Sequence, residues 1–247
     1  MPWDFWLIFV VLGLVLPWRG RLRIKKLLAL PATSSRERLL LYASTMAFQW
    51  LAALVVAWRV WARGLRREDL GLAVHGWTAT VAGAIVGAAT LAALQWLNLR
   101  RMGRRPTSPQ PAREFMRILA KHILPQSPLE LAPYLLLATT AGLCEEFLYR
   151  GFAMAALSQA GAPLWAAVLL SAILFGLAHL YQGRGGFVST LVLGAVFGAA
   201  RIAYHGLLPV VVWHFAIDAI AGVVGPRYLL GPREMPGKPE FSTVAEH

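Results

Sequence analysis

The sequence predicts an all-α, polytopic transmembrane helix bundle of about seven spans. Three observations carry this reading. Apolar stretches of about 20 residues, the length a helix needs to cross ~30 Å of hydrocarbon, recur along the chain. The composition is 57% hydrophobic and 15% charged with a mean hydropathy of +0.56, too apolar for an ordinary soluble domain. The lysines and arginines behind the net charge of +12 gather in short segments between the apolar stretches rather than along a polar face. That placement reads as membrane-flanking charge facing the headgroups of a lipid bilayer, and no nucleic-acid partner is expected.

The expected spans are Trp3–Trp18, Leu39–Trp61, Trp77–Leu97, Leu131–Leu157, Leu164–Tyr181, Phe187–Tyr204 and Leu208–Val224. The first has an acidic rather than basic start, at Asp4, and no small-residue cleavage pattern comes after it. It is read as a retained span, with an interfacial helix as the alternative. The loop after it holds Arg19, Arg21, Arg23, Lys25, Lys26, Arg36 and Arg38, and the loop after the third span holds Arg100, Arg101, Arg104, Arg105, Arg113, Arg117 and Lys121. The loop after the second span is weaker, with Arg59, Arg63, Arg66 and Arg67 partly offset by Glu68 and Asp69. The positive-inside rule then puts the first and third loops and the C-terminus in the cytoplasm, and the N-terminus outside.

Within the third loop, "RRPTSPQP" reads as a proline-rich linker. "AREFMRILAKHIL" follows, with Phe115, Met116, Leu119, Ile123 and Leu124 on one helical face and Arg113, Arg117 and Lys121 on the other. This is either a helix lying in the membrane interface or an N-terminal extension of the fourth span. The single cysteine, Cys144, excludes an internal disulfide framework and reads as a small packing residue, since it precedes two carboxylates.

The stretch "GLCEEFLYRG", from Gly142 to Gly151, puts two glutamates and an arginine inside an otherwise apolar span. Each charge at the centre of a spanning helix costs about 2.5–3.5 kcal/mol on insertion scales, so partners must exist within the bundle. Arg150 lies one helical turn after Glu146, and a Glu146–Arg150 pair leaves Glu145 free to face a polar cavity. "FGLAH" sets Phe175 one turn before His179, and "HFAID" sets His214 and Asp218 on one face, where Asp218 can hold the His214 tautomer. His205, in the turn "YHGLLP", reads as solvated or in contact with headgroups. A hydrogen-bonded core histidine or a plain Glu–Arg helix staple explains any one of these features. It explains the whole set less well, because the unrelieved insertion cost sums to something on the order of 10 kcal/mol.

In order and spacing, "EEFLYR", "FGLAH" and "HFAID" resemble the motifs EExxxR, FxxxH and HxxxN or HxxxD of the CPBP intramembrane proteases, a group that includes the CAAX prenyl endopeptidases and bacteriocin-processing or immunity proteins. "REDLGL" (Arg67 to Leu72) resembles a segment that precedes that family's third helix. The resemblance implies hydrolysis of a peptide bond by an activated water. Glu145 is then the general base, His179 positions the water, His214 with Asp218 supports the oxyanion, and Glu146, Arg150 and Phe175 support the site. Asp218 stands where the motif also offers Asn, and an ionised carboxylate cannot donate a hydrogen bond. Glu145, His179 and His214 can equally make a three-ligand zinc site. The metal-free route is preferred and no cofactor is assigned.

On this reading residues 1–130 are N-terminal spans with basic loops and an interfacial helix, 131–225 the catalytic core, and 226–247 a polar, disordered tail. The expected function is an intramembrane endopeptidase acting on a membrane-anchored protein or peptide, such as a C-terminal sorting segment or a leader. The alanine- and arginine-rich composition points to a bacterial cytoplasmic membrane. The competing classes are a proton-coupled transporter, in which buried Glu, His and Asp form a proton relay, and a non-catalytic immunity or binding protein of the same fold. A cysteine-accessibility scan on a Cys144→Ala background tests the orientation. A cysteine at Arg104 is expected to label only from the cytoplasm and one at Arg66 only from outside, and the reverse pattern inverts the topology.

Overall fold

The computed structural model describes residues 1–74, 76–104 and 110–230, and among these the chain is helical with no strand. Residues 105–109 of the linker expected at 104–111, and residues 231–247 of the tail expected at 226–247, lie outside the described residues. Eight helical segments follow one another: α1 (Trp3–Leu28), α2 (Ser35–Ala62), α3 (Trp77–Gly103), α4 (Pro111–Ile123), α5 (Pro128–Gln159), α6 (Leu164–Ala178), α7 (Gly183–Ala203) and α8 (Leu208–Leu229). Six of them, all but α4 and α6, are long and apolar enough to cross a membrane. Leucine, valine and tryptophan side chains stand exposed along them, as a lipid-facing surface requires. Trp3, Trp61, Trp77 and Trp165 are exposed at the helix ends opposite the basic segments, where amphipathic rings settle at a membrane boundary.

The fifth expected span, Leu164–Tyr181, is the shorter helix α6 of 15 residues, Leu164–Ala178. At 1.5 Å per residue it is about 22 Å long, less than the ~30 Å hydrocarbon layer. Its C-terminal end passes directly into His179. A turn of 3₁₀ helix at Leu180–Gln182 then leads through Gly183, at φ 81°, into α7.

Two boundaries differ from expectation, each for a tertiary reason, and the choice between the two expected alternatives for α4 and the fourth span is decided. The first helix runs on through Arg19–Lys26 to Leu28 rather than ending in a loop. Its basic side chains dock on α2, with Arg23 donating to Ser44 Oγ at 2.5 Å and Thr45 Oγ1 at 3.1 Å, and Arg19 lying 4.1 Å over the Phe48 ring. The amphipathic helix α4 is separate from the fourth span. Leu124 and Ser127 are extended before Pro128, whose ring disfavours helix at the preceding residue. The last helix passes the Gly225-Pro226 boundary and ends at Leu229, so residues 226–229 do not belong to an irregular tail. Pro226 removes one hydrogen-bond donor, but Leu229 is buried against Tyr42, Leu99, Leu124 and Tyr134, and that packing carries the helix through.

The helix ends are tied in pairs. At one end of the bundle Asp4 of α1 meets Arg59 at 2.7 Å and Arg63 at 3.0 Å. At the opposite, inner end of the expected orientation a capping box of Ser34 and Glu37 opens α2. Arg38 then makes a two-pronged pair with the fully buried Glu130, at 2.8 and 2.9 Å. Burial and the neighbouring Arg38 hold the His122 imidazole of α4 below its ordinary range. His122 Nδ1 meets Thr33 Oγ1 at 2.5 Å, and this joins α4 to the same inner cluster. Between these ends, α3 packs on α8 because glycine leaves room for aromatics: a Cβ on Gly87 would fall 2.2 Å from the Trp213 ring, whose Nε1 donates to Gly83 O at 3.0 Å.

Breaking the inner pair tests this account. Glu130→Ala strands the buried Arg38 and is expected to destabilise the detergent-extracted protein by about 3–5 kcal/mol. The double replacement Arg38→Met with Glu130→Leu recovers most of that loss. Thermal unfolding of the three proteins checks it, and equal stability of wild type and Glu130→Ala overturns it.

Candidate active site

All seven residues singled out in the sequence converge in one cluster formed by α5, α8 and the end of α6. Glu145 and Glu146 lie about 25 Å along α5 at 1.5 Å per residue. Directly after them the helix widens into a π-helical stretch, Phe147–Ala153, of the kind often found at functional sites. Nothing in the residue pattern announces that turn. Within it, Gly151 passes the Leu70 carbonyl so closely that a Cβ would sit 3.2 Å from the oxygen, which docks the "REDLGL" segment on α5.

Arg150 and Glu146 are both fully buried and pair at 2.9 Å, as the helical spacing predicts. The guanidinium also lies 4.2 Å from the centroid of Phe175 and 5.4 Å from that of Phe197. Two aromatic faces thus take part of a charge whose Nε and Nη2 have no hydrogen-bond partner among the described residues. Phe175 belongs to the sequence pattern. Phe197 does not, and one aromatic residue in an apolar span carries no signal of its role.

The two histidines are held by different acceptors. His179 Nδ1 donates to the Phe175 carbonyl at 2.8 Å, which leaves Nε2 pointing away from the helix. His214 Nδ1 lies 2.7 Å from Glu146 Oε1. Its other nitrogen, Nε2, is 3.6 Å from Asp218 Oδ2, within ion-pair range but beyond a hydrogen bond. The expectation that Asp218 sets the His214 tautomer is therefore corrected: Glu146 meets Nδ1, while Asp218 faces the opposite nitrogen. The cause is close helix approach. Gly142 lies so near α8 that a Cβ on it would be 3.0 Å from the Val211 carbonyl and 3.7 Å from His214 Cβ, so the α5 carboxylate reaches the ring before Asp218 can.

Glu145 completes the cluster. Its Oε2 lies 3.9 Å from His179 Nε2 and 3.9 Å from His214 Nε2. That oxygen is buried with no hydrogen-bond partner among the described residues. Its other oxygen, Oε1, accepts from Gln49 Nε2 of α2 at 2.7 Å. The sequence pattern misses Gln49, and the available signal is an amide in the middle of an otherwise apolar span. Cys144, next to the pair, is a buried free thiol, as expected of a packing residue. His205 stands exposed in its turn at φ 50°, outside the cluster.

Beside His179, a cavity of ≈ 450 Å³ opens on the basic side of the bundle between α1, α4 and the 3₁₀ turn. Ile24, Leu28, Phe115, Leu180 and Tyr181 line it, with Arg21 and Lys25 also contributing.

A buried carboxylate oxygen aimed at two imidazole nitrogens, in a bundle built to cross a membrane, defines a class: a membrane-embedded site suited to acid–base hydrolysis. Residues 127–220 match the family model described as Rce1-like, Type II CAAX prenyl endopeptidase. The motif-bearing segment is thus similar to that family, and the match supports a CPBP-type, CAAX-protease-like enzyme in an integral membrane protein. No curated protein and no solved structure matches the chain.

Because Glu146 holds both Arg150 and His214, its replacement is expected to act twice. Glu146→Gln lowers membrane accumulation by stranding Arg150. It also lowers turnover per folded molecule by up to about 10⁴-fold, the scale for losing the carboxylate that orients a catalytic imidazole. Immunoblotting of membranes together with rate per folded protein checks both, and wild-type values for both overturn the assignment.

Proposed function

We propose that the protein is an intramembrane endopeptidase that hydrolyses a peptide bond with a water activated by Glu145, within a catalytic core at residues 131–225. The observation that carries this reading is the buried, unpartnered Glu145 Oε2 at 3.9 Å from both imidazole Nε2 atoms. A water oxygen about 2.8 Å from both Glu145 Oε2 and His179 Nε2 fits between those two atoms. It donates one proton to Glu145 and the other to His179 Nε2, which is an acceptor while Nδ1 donates to Phe175. Its free lone pair then faces the substrate carbonyl carbon.

As the carbon–oxygen bond forms, Glu145 takes a proton and negative charge moves onto the carbonyl oxygen. His214 donates to that oxygen from Nε2 in its doubly protonated form, with Glu146 on Nδ1 and Asp218 at 3.6 Å balancing the positive ring. When the tetrahedral adduct collapses, Glu145 returns its proton to the departing amine and the carbon–nitrogen bond breaks. Arg150 keeps Glu146 ionised throughout, so the two adjacent glutamates play different parts.

Zinc is the alternative for Glu145, His179 and His214. Tetrahedral zinc with bonds of about 2.0–2.2 Å needs donor atoms roughly 3.3–3.5 Å apart. The two separations are 3.9 Å, so the donors would have to draw closer to hold zinc. The steps above need no metal.

The substrate we propose is a membrane-anchored protein or peptide whose scissile bond reaches the site from the basic, cytoplasmic side. The cavity beside His179 supports this route, since it offers apolar walls to a chain leaving the bilayer. The alanine- and arginine-rich composition supports a bacterial cytoplasmic membrane.

The test is cleavage of membrane peptides by purified protein, with substrates found by comparing membranes that contain wild type or Glu145→Gln. Glu145→Gln is expected to lose activity by at least about 10²–10⁴-fold, the contribution of a general base, at normal accumulation. Wild type keeps its rate in a strong chelator. Full activity of Glu145→Gln sinks the reading, and chelator-killed wild type rescued by zinc replaces it with a metal mechanism.

A further inference from the structure

Of the two carboxylate oxygens of Glu145, only one is open to chemistry, because Oε1 is held by Gln49 Nε2 at 2.7 Å. Gln49 sits on α2, outside the matched segment 127–220, so the family match says nothing of it. We propose that Gln49 is a positioning residue for the reaction. By saturating Oε1 it fixes the carboxylate plane and leaves Oε2 as the oxygen that takes the proton from water. The proposal rests on the glutamate-activated reading above.

The geometry favours positioning over simple gluing of helices. The helices α2 and α5 are already joined by the buried Arg38–Glu130 pair and by Tyr42 against Tyr134, with ring centroids 5.6 Å apart. A third polar tie is not needed to hold them. A glutamate side chain reaching into a cavity, by contrast, has three rotatable bonds and no apolar packing to fix its end. The only hydrogen bond recorded for the Glu145 carboxylate among the described residues is the one from Gln49. Without that bond the carboxylate is free to swing away from the 3.9 Å gaps to His179 and His214. The Gln49 carbonyl oxygen is itself buried and unpartnered among the described residues, so the amide adopts this orientation for its N–H rather than for its C=O.

The test uses the full-length protein in three variants: Gln49→Met, similar in reach but unable to donate; Gln49→Asn, which keeps the donor on a shorter arm; and Glu145→Gln. Gln49→Met is expected to lower kcat by about 10–100-fold, the value of one hydrogen bond to a charged group, with KM and thermal stability near wild type. Gln49→Asn recovers part of kcat. In the Glu145→Gln background the residual rate is indifferent to Gln49→Met. If Gln49→Met instead lowers stability while kcat per folded molecule stays at the wild-type value, the residue is structural and the proposal is overturned. Wild-type kcat and stability in Gln49→Met overturn it as well. An active Glu145→Gln protein defeats the glutamate-base reading itself, an outcome distinct from either of those.

Discussion

A guanidinium with no exposure to solvent cannot survive in the middle of a helix bundle unless something cancels its charge, and the arrangement of this site follows from how Arg150 is cancelled. Glu146 supplies the opposite charge at 2.9 Å, and the rings of Phe175 and Phe197 supply polarisable faces. Breaking such a pair by removing one partner costs several kcal/mol, so Glu146 is committed to Arg150. The same carboxylate is then an acceptor at 2.7 Å from His214 Nδ1, and the ring turns its other nitrogen toward Glu145. The ion pair that makes the charges tolerable also orients the imidazole. Adjacent glutamates, about 100° apart around the helix, are divided between these duties without competing.

Helix length is the second constraint. The helix that ends at His179 is about 22 Å long at 1.5 Å per residue, and the histidine stands at the head of a 3₁₀ turn. Backbone of that kind is tolerated at membrane depth where it lines a cavity or is buried in protein. Here it borders a cavity of ≈ 450 Å³ on the basic side. The amphipathic helix α4 forms part of that wall through Phe115 and is anchored by His122 on Thr33. The cluster of Arg38, Glu130, Thr33 and His122 thus holds both the scaffold helices and one wall of that cavity.

Much of this is legible in the residue pattern alone. Apolar length locates the spans, because lipid admits only helices and closed barrels, and the charge bias orders them. The pattern of Glu145, Glu146 and Arg150, with His179, His214 and Asp218 on other spans, announces a single cluster, because unpartnered charges in hydrocarbon cost too much to be scattered. The Glu146–Arg150 pair is readable because it is local, one helical turn apart on one element. The helix ends at Leu28 and Leu229 are not readable, since docking on α2 and burial in the inner core decide them.

By itself, then, the sequence determined the class of fold, the membership of the polar cluster and the local pair within it, all of which follow from hydropathy and from helical periodicity. Tertiary structure decided which oxygen faces which nitrogen. Glu146 rather than Asp218 meets His214 Nδ1 because a Gly142 without a side chain lets α5 and α8 approach, and no spacing within one helix encodes that distance. Gln49 reaches Glu145 from a helix almost a hundred positions earlier for the same reason. Contacts between helices depend on small residues, on the π turn after Glu146 and on the summed packing of the bundle, and these become visible only when the helices are assembled.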